Sequence, residues 1–257
     1  MEKVPVLFFS TIHRKSEYIS RLMSIHCDIP SLQLHKGMLG TQEWKELDSG
    51  VTTLVDAPLF IHESVDLPMD ELTETVHRCI KETGTRIVFI DCLQMIDFAK
   101  EDVKSSKRMA KVMYSLKHLA QQVEIPIVAG SMLSRGVECW YGAGDGEPRL
   151  MDLANSSYIE EFADVVMMVH RPEYYRILTD EHGRDLHGLM QVFVNKNALK
   201  PLGDIVLKYY QETGRLSWNN ETSMPEENRV SLEDFETDNP AILRLIKTFD
   251  LEDDIPY

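Results

Sequence analysis

Apolar runs of strand length recur along the 257-residue chain: "VPVLFF" (4–9), "PLFIH" (58–62), "RIVFID" (86–91), "IPIVAGSM" (125–132), "DVVMMVH" (164–170), "LMQVFV" (189–194) and "DIVLKYY" (204–210). The first five are almost continuously apolar, as expected of strands buried on both faces of a parallel sheet. Helix-period segments lie between them. In 105–123, Met109, Val112, Met113, Leu116, Leu119 and Ala120 fall on one stripe, and serines at its start offer caps. In 68–84, Leu72, Val76, Cys79 and Ile80 share a face, and Gly84 is placed to end the helix. Strands alternating with helices predict a doubly wound α/β domain.

From about residue 189 the pattern changes to consecutive strands. "LMQVFVNKNALKPLGDIVLKYYQETGRLSWNN" reads as an antiparallel meander with turns at "LKPLGD" and "QETGR". Beyond Asn219 the chain becomes an acidic tail. Within it, Asp238 or Asn239 is a candidate cap and Pro240 a first-turn residue for a short helix over 240–249, "AILRLIKTF" being its body. Such a helix would serve as a docked terminal element or as a partner-binding peptide.

Composition narrows the function classes. With 43% hydrophobic and 27% charged residues the chain can bury a core. A net charge of −15 argues against a broadly basic nucleic-acid surface and leaves room only for a local basic patch. Four scattered cysteines without a C-x-x-C pair point to a reduced chain in the cytoplasm, with no zinc ribbon. The apolar run near the start is too short for a signal peptide or a membrane span, so no membrane association is expected.

The first candidate for chemistry is Asp91, an acid at the carboxyl end of a buried strand, where ligand sites of α/β proteins form. Such a carboxylate suits a phosphate-bound Mg²⁺; the plain alternative is a strand-end acid that caps a neighbouring loop. No G-x-x-x-x-G-K-[ST] phosphate loop occurs, and "YGAGDGEP" (141–148) reads as a surface loop with Asp145 and Glu147 where anions would sit. "AGSMLSRG" does not match a nucleophile elbow, and the histidines of "HGRDLH" (182–187) read as a solvent-exposed loop pair.

Five stretches together resemble the RecA-like C-terminal domain of DnaB-type replicative DNA helicases. They are "KVPVLFFS" (3–10), "LQLHKGMLGTQEWKEL" (32–47), "RIVFIDCLQMI" (86–96), "YSLKHLAQQVEIPIVAGSMLSR" (114–135) and "IEEFADVVMMVHRPEYY" (159–175). "RIVFIDCLQMI" is similar to the family's Walker B strand. The resemblance implies an α/β, RecA-like, mostly parallel sheet with flanking helices, ending in an antiparallel meander. It spans a domain over 1–219, with 220–257 left as the tail. It also implies ATP and Mg²⁺ as cofactors, with Asp91 and Ser10 at the nucleotide and Asp91 on the metal. Arg135, Asn155 and Ser156 would face DNA, and Lys196 would remain from a trans-acting finger.

The departures matter as much. Relative to the family's pattern, the phosphate-loop strand and helix would precede residue 1. Ile12 stands where the resemblance places a water-activating glutamate, and isoleucine accepts no proton. Met132 takes the sensor glutamine's place. Ala154 and Ser157 replace an arginine and a glycine of the DNA loop, and Ala198 replaces the finger arginine. The leading expectation is therefore a pseudo-ATPase of the DnaB family. It would act in DNA replication or mobile-element DNA metabolism through a DnaB-type helicase or another replication protein, single-stranded DNA, or its own oligomer. Two alternatives stand: a working helicase subunit whose phosphate loop another chain supplies, and an α/β binding domain unrelated to nucleic acid. The family's missing strand would lie between 125–132 and 164–170, so either those two pair directly or another chain fills the place.

Overall fold

A computed structural model describes residues 3–98, 105–134, 147–154, 156–198 and 202–219. The proposed tail helix over 240–249, Arg135, Asn155 and most of the "YGAGDGEP" loop lie outside these residues. The chain divides into two compact units.

The first unit comprises Lys3–Ile19 and Asp56–Val166. It holds strands β1 (Val6–Ser10), β2 (Leu59–Glu63), β4 (Ile87–Ile90) and β6 (Ile127–Ala129), which form a parallel sheet in the order β2-β1-β4-β6. A two-residue pair, β3 (Leu67–Pro68) with β5 (Ile96–Asp97), lies outside it. β1 is interior because Leu7 and Phe9, like Val88 and Ile90 of β4, are apolar enough to be covered. Helix α4 (Met69–Thr83) carries Asp70 and Glu71 in its first turn, where they favour the helix dipole. It ends at Gly84, whose φ of +68° and hydrogen bond to the Ile80 carbonyl (3.1 Å) form the expected C-cap. Helix α5 (Ser105–Val123) buries Met109, Val112, Met113, Leu116 and Leu119, five of the six positions of its predicted stripe; Ala120 is half-buried.

The second unit comprises Ser20–Val55 and the chain from Met167, with Met1 and Glu2 grouped to it but not described. It contains most of α1 (Lys15–Cys27), all of α2 (Ser31–Lys36) and α3 (Thr41–Val55), and a sheet in the order β10-β9-β8-β7. Here β9 (Gly203–Tyr209) runs antiparallel to both β8 (Leu189–Asn197) and β10 (Leu216–Trp218), so the meander is present. α3 meets α1 through Gly50, where a Cβ would stand 2.3 Å from the Cys27 Sγ.

Two expectations are corrected. Strand β7 (Val165–His170) was expected in the parallel sheet; it instead joins β8, and its alternating burial is that of a one-faced strand, with Val166, Met168 and His170 covered and Val169 exposed. Nor do 125–132 and 164–170 pair directly, because β6 and β7 are edges of different sheets. The expectation assumed a gap closed to water. β6 pairs over only three residues, and so short an edge leaves few backbone groups for solvent to satisfy.

The loop before β8 places His182 and His187 in solvent, as the sequence suggested. The backbone N–H and ring of His187 both donate to Asp185, which holds that carboxyl below the usual carboxylate range and the ring above the usual imidazole value. Any support the His187 shift gives the loop is full at low pH and fades as pH rises through the raised imidazole value. The Asp185 part is present above the carboxylate range and fades as pH falls through its lowered value. The loop is thus held best between the two. A proton NMR titration should place His187 above 6.5, and Asp185→Asn should bring it back toward that value; an unchanged midpoint in the variant would remove Asp185 as the cause.

Candidate functional site

The ends of β1 and β4 lie side by side, with Phe9 opposite Ile90 in parallel register, and this places Ser10–His13 next to Asp91. The Asp91 N–H donates to the Phe9 carbonyl (3.1 Å). Its carboxylate receives the Thr11 N–H at both oxygens (3.0 and 3.1 Å) and the Thr11 hydroxyl at Oδ1. At Oδ2 it also accepts the Ile12 N–H (3.2 Å) and the Tyr18 hydroxyl (2.9 Å). A carboxylate offers about four lone-pair directions. Those of Asp91 are taken by the turn after β1 and by the first turns of α1.

The turn is tied down on its other side. Ser10 is buried and its hydroxyl donates to the His13 carbonyl. His13 pairs with Glu17 one helical turn on (2.9 Å), and the Lys15 N–H donates to Glu63 (2.8 Å). The Tyr18 ring packs edge-on to Phe8 at 4.6 Å, which fixes its hydroxyl on Asp91. Ile12 points away, with 50% of its surface exposed, and carries no group that takes a proton.

Past Asp91 the chain makes a 3₁₀ turn over Leu93–Met95. Gln94 donates to the Ser131 hydroxyl (2.9 Å) and accepts from the Met132 N–H (3.2 Å), and Arg108 donates to its carbonyl (2.6 Å). Cys92 is buried beside it and burial pushes its thiol up, so it is a poor nucleophile. Gly130 lies so close to β4 that a Cβ would stand 2.4 Å from the Asp91 carbonyl oxygen. After it, the Met132 carbonyl accepts from Ala154 (3.1 Å) and Ser134 donates to Asp152 (2.7 Å), so 132–134 lies along 152–154.

Asp91 and Ser10 are thus brought together, but the hydroxyl of Ser10 is turned into its own loop. Lys196 stands on β8 in the other unit. Ser156 opens helix α6 (Ser156–Phe162), while Arg135 and Asn155 lie outside the described residues. Sequence reading passed over Thr11, Tyr18 and Gln94. Thr11 could have been found by aligning "VLFF" with "IVFI" as parallel neighbours, which sets Ser10 level with Asp91 and Thr11 one residue beyond; Tyr18, on α1, carries no such signal. No group of three or more His, Cys, Asp or Glu among the described residues is arranged to hold a metal ion. The donor set does not fit a Mg²⁺–nucleotide at Asp91: its lone pairs face amides and hydroxyls of the chain itself. No helix among the described residues is long and apolar enough to cross a membrane.

Comparison with known proteins gives a consistent picture. Residues 1–217 match the family described as the DnaB-like helicase C terminal domain. The chain is 31% identical over 172 residues to the replicative DNA helicase DnaB of Leifsonia xyli subsp. xyli, covering 67% of this chain and 37% of that protein. It is 32% identical over 211 residues to the probable replicative DNA helicase of Trieres chinensis, covering 80% and 45%. The chain therefore spans less than half the length of these curated relatives. Among solved structures it resembles a DnaB-like replicative helicase studied with its interactions with primase (TM-score 0.76, 23% identity, 84% of this chain and 51% of that one). It likewise resembles the ATPase domain of G40P (TM-score 0.76, 23% identity, 84% and 75%). At that identity the likeness is one of fold, and the fold is RecA-like.

Proposed function

Because the chain belongs to the DnaB-like helicase C-terminal domain family, we propose that it is a catalytically silent member of it, acting in DNA replication or mobile-element DNA metabolism through contacts and not through ATP turnover. One observation carries this reading: the Asp91 carboxylate is engaged by Thr11, Ile12 and Tyr18, and the residue beside it is isoleucine. A nucleotide hydrolase of this fold needs a carboxylate free to hold the metal's water shell and a base to activate the attacking water. Asp91 instead braces a turn. Met132 and Ala198 support the same reading, since neither can place a polar or charged group at a γ-phosphate. The partner surfaces in this proposal are a DnaB-type helicase or another replication protein, with single-stranded DNA and self-association as further contacts.

The test is steady-state ATP hydrolysis with Mg²⁺, run on the chain alone and beside a DnaB-type helicase, with Asp91→Ala in parallel. The chain alone should release phosphate no faster than buffer, and titration calorimetry should register no heat of ATP binding into the millimolar range. Turnover or binding that Asp91→Ala abolishes sinks the proposal. A second reading, in which another polypeptide supplies the phosphate loop, draws on the open edge of β6, where a further parallel strand could pair. It requires turnover that appears with the partner and disappears with Asp91→Ala.

A further inference from the structure

Two lips of opposite charge flank a groove within the first unit. α5 carries Lys107, Arg108, Lys111 and Lys117 and no acid over its 19 residues, in a chain of net charge −15. Lys107, Lys111, Tyr114 and His118 recur at spacings of four, three and four, which puts them on the face opposite the buried stripe of Met109, Val112, Leu116 and Leu119. This is the local basic patch for which the overall charge left room. At physiological ionic strength charges act over about 8 Å, so the patch and not the net charge sets what is drawn to it. Across from α5, the start of α4 presents Asp70 and, one turn on, Glu74, both exposed.

The groove has a volume of about 290 Å³ and lies apart from Asp91 and its turn. Met69 and Leu119, both buried, form an apolar floor, and Phe98 and Tyr114 supply ring walls, with Asp70 on the α4 lip and Ser115 on the α5 side. Tyr114 is 61% exposed yet held in place, stacked on His118 (ring centroids 6.4 Å apart) and edge-on to Phe162 (6.2 Å). The Lys111 Nζ lies 4.3 Å from the centre of the Phe98 ring. Groups ordered before a partner arrives lose little freedom on docking, and an exposed, ordered tyrosine beside a pocket is a common anchor of protein interfaces.

We propose that this groove docks an acidic segment of a partner protein, one large apolar side chain of the segment entering between Phe98 and Tyr114 while its carboxylates lie along Lys107 and Lys111. The volume sits just below the roughly 300–1,000 Å³ of small-molecule sites, which suits a single side chain. Asp70 and Glu74 fix the orientation, because they turn acids away from the α4 lip and toward α5. They also make the groove a poor track for single-stranded nucleic acid, whose phosphates would run past both carboxylates. Such a segment gives the contact role inferred above a partner chemistry and rests on that reading; ATP turnover does not enter its test, so each can fail alone.

The test uses the full chain. Short random peptides displayed on phage are selected on the parent, with Ser115→Trp, which fills the groove, as the counter-selection. Peptides kept by the parent alone should carry acids beside a Phe, Trp, Leu or Ile. The most enriched of them, synthesised with a fluorescent label, should bind Lys107→Glu and Tyr114→Ala about tenfold more weakly than the parent, and should weaken further as salt is raised. Lys107 is exposed, so Lys107→Glu keeps the test valid if Ser115→Trp folds poorly. Absence of enrichment, or enriched peptides without acids, overturns the proposal, and so does equal affinity for the parent and Lys107→Glu. Two further results overturn it by naming another occupant. One is labelled oligodeoxythymidine that binds the parent and is lost with Tyr114→Ala; the other is a dimer in sedimentation that Ser115→Trp dissociates.

Discussion

Gly130→Ala is expected to destabilise the chain by about 3 kcal/mol, the upper part of the usual range for overpacking. A Cβ at this position would meet the Asp91 carbonyl oxygen at 2.4 Å and its carbonyl carbon at 3.2 Å, and main chain cannot swing aside as a side-chain tip can. Both strands are also pinned at the contact. The Gly130 N–H donates to the Ile90 carbonyl and its own carbonyl accepts from Leu93, each at 2.8 Å. Relief of the clash therefore requires breaking one of these bonds or opening the β4–β6 pairing. Urea unfolding should show a lower midpoint with an unchanged slope, since the surface exposed on unfolding stays the same. Ser131→Ala, which removes only the hydroxyl that accepts from Gln94, serves as the control and should lose about 1 kcal/mol. Equal midpoints for Gly130→Ala and the parent would mean that the two strands are not held this closely.

Asp91→Ala should be comparably damaging, by roughly 3 kcal/mol, for a different reason: it orphans donors and creates no clash. The Thr11 N–H, the Ile12 N–H and the Tyr18 hydroxyl would all lose their acceptor, and Thr11 is buried where water cannot replace it. Asp91→Asn keeps one carbonyl oxygen but turns an amide donor toward other donors, so it should fall between alanine and the parent. Amide exchange is the sharper readout, because Thr11 and Ile12 should lose protection in Asp91→Ala while α4 keeps its own. Adding Mg²⁺ should leave the melting temperature of the parent unchanged. A Mg²⁺-dependent rise that Asp91→Ala removes would return the residue to metal binding.

How much of this was legible before the fold was seen depended on the kind of contact. α4 and α5 were readable because their apolar positions recur with helical period and bury as a stripe. The strands of the parallel sheet were readable from length and β-branched content. α1–α3 were not. The buried contact between α1 and α3 is made at Gly50, which meets Cys27, His26 and Met23; a glycine carries little hydrophobic signal and by itself argues against a helix. Asp91 was found as a strand-end acid, and both its uses were weighed. Sequence alone could not choose between them, because the choice rests on Tyr18 and the amides of Thr11 and Ile12 reaching it from 73 to 80 residues away.

That separation also governs when the fold can form. β1 lies between β2 and β4, so its apolar "VLFF" has no lasting cover until residues 59–90 exist to flank it. Eighty residues separate Thr11 from Asp91. At a synthesis rate of about 5–20 residues per second, roughly 4–16 s pass between the emergence of one and of the other. For that interval the nascent chain carries a naked hydrophobic strand, which marks Val6–Phe9 as the segment on which a ribosome-associated chaperone would have most to hold.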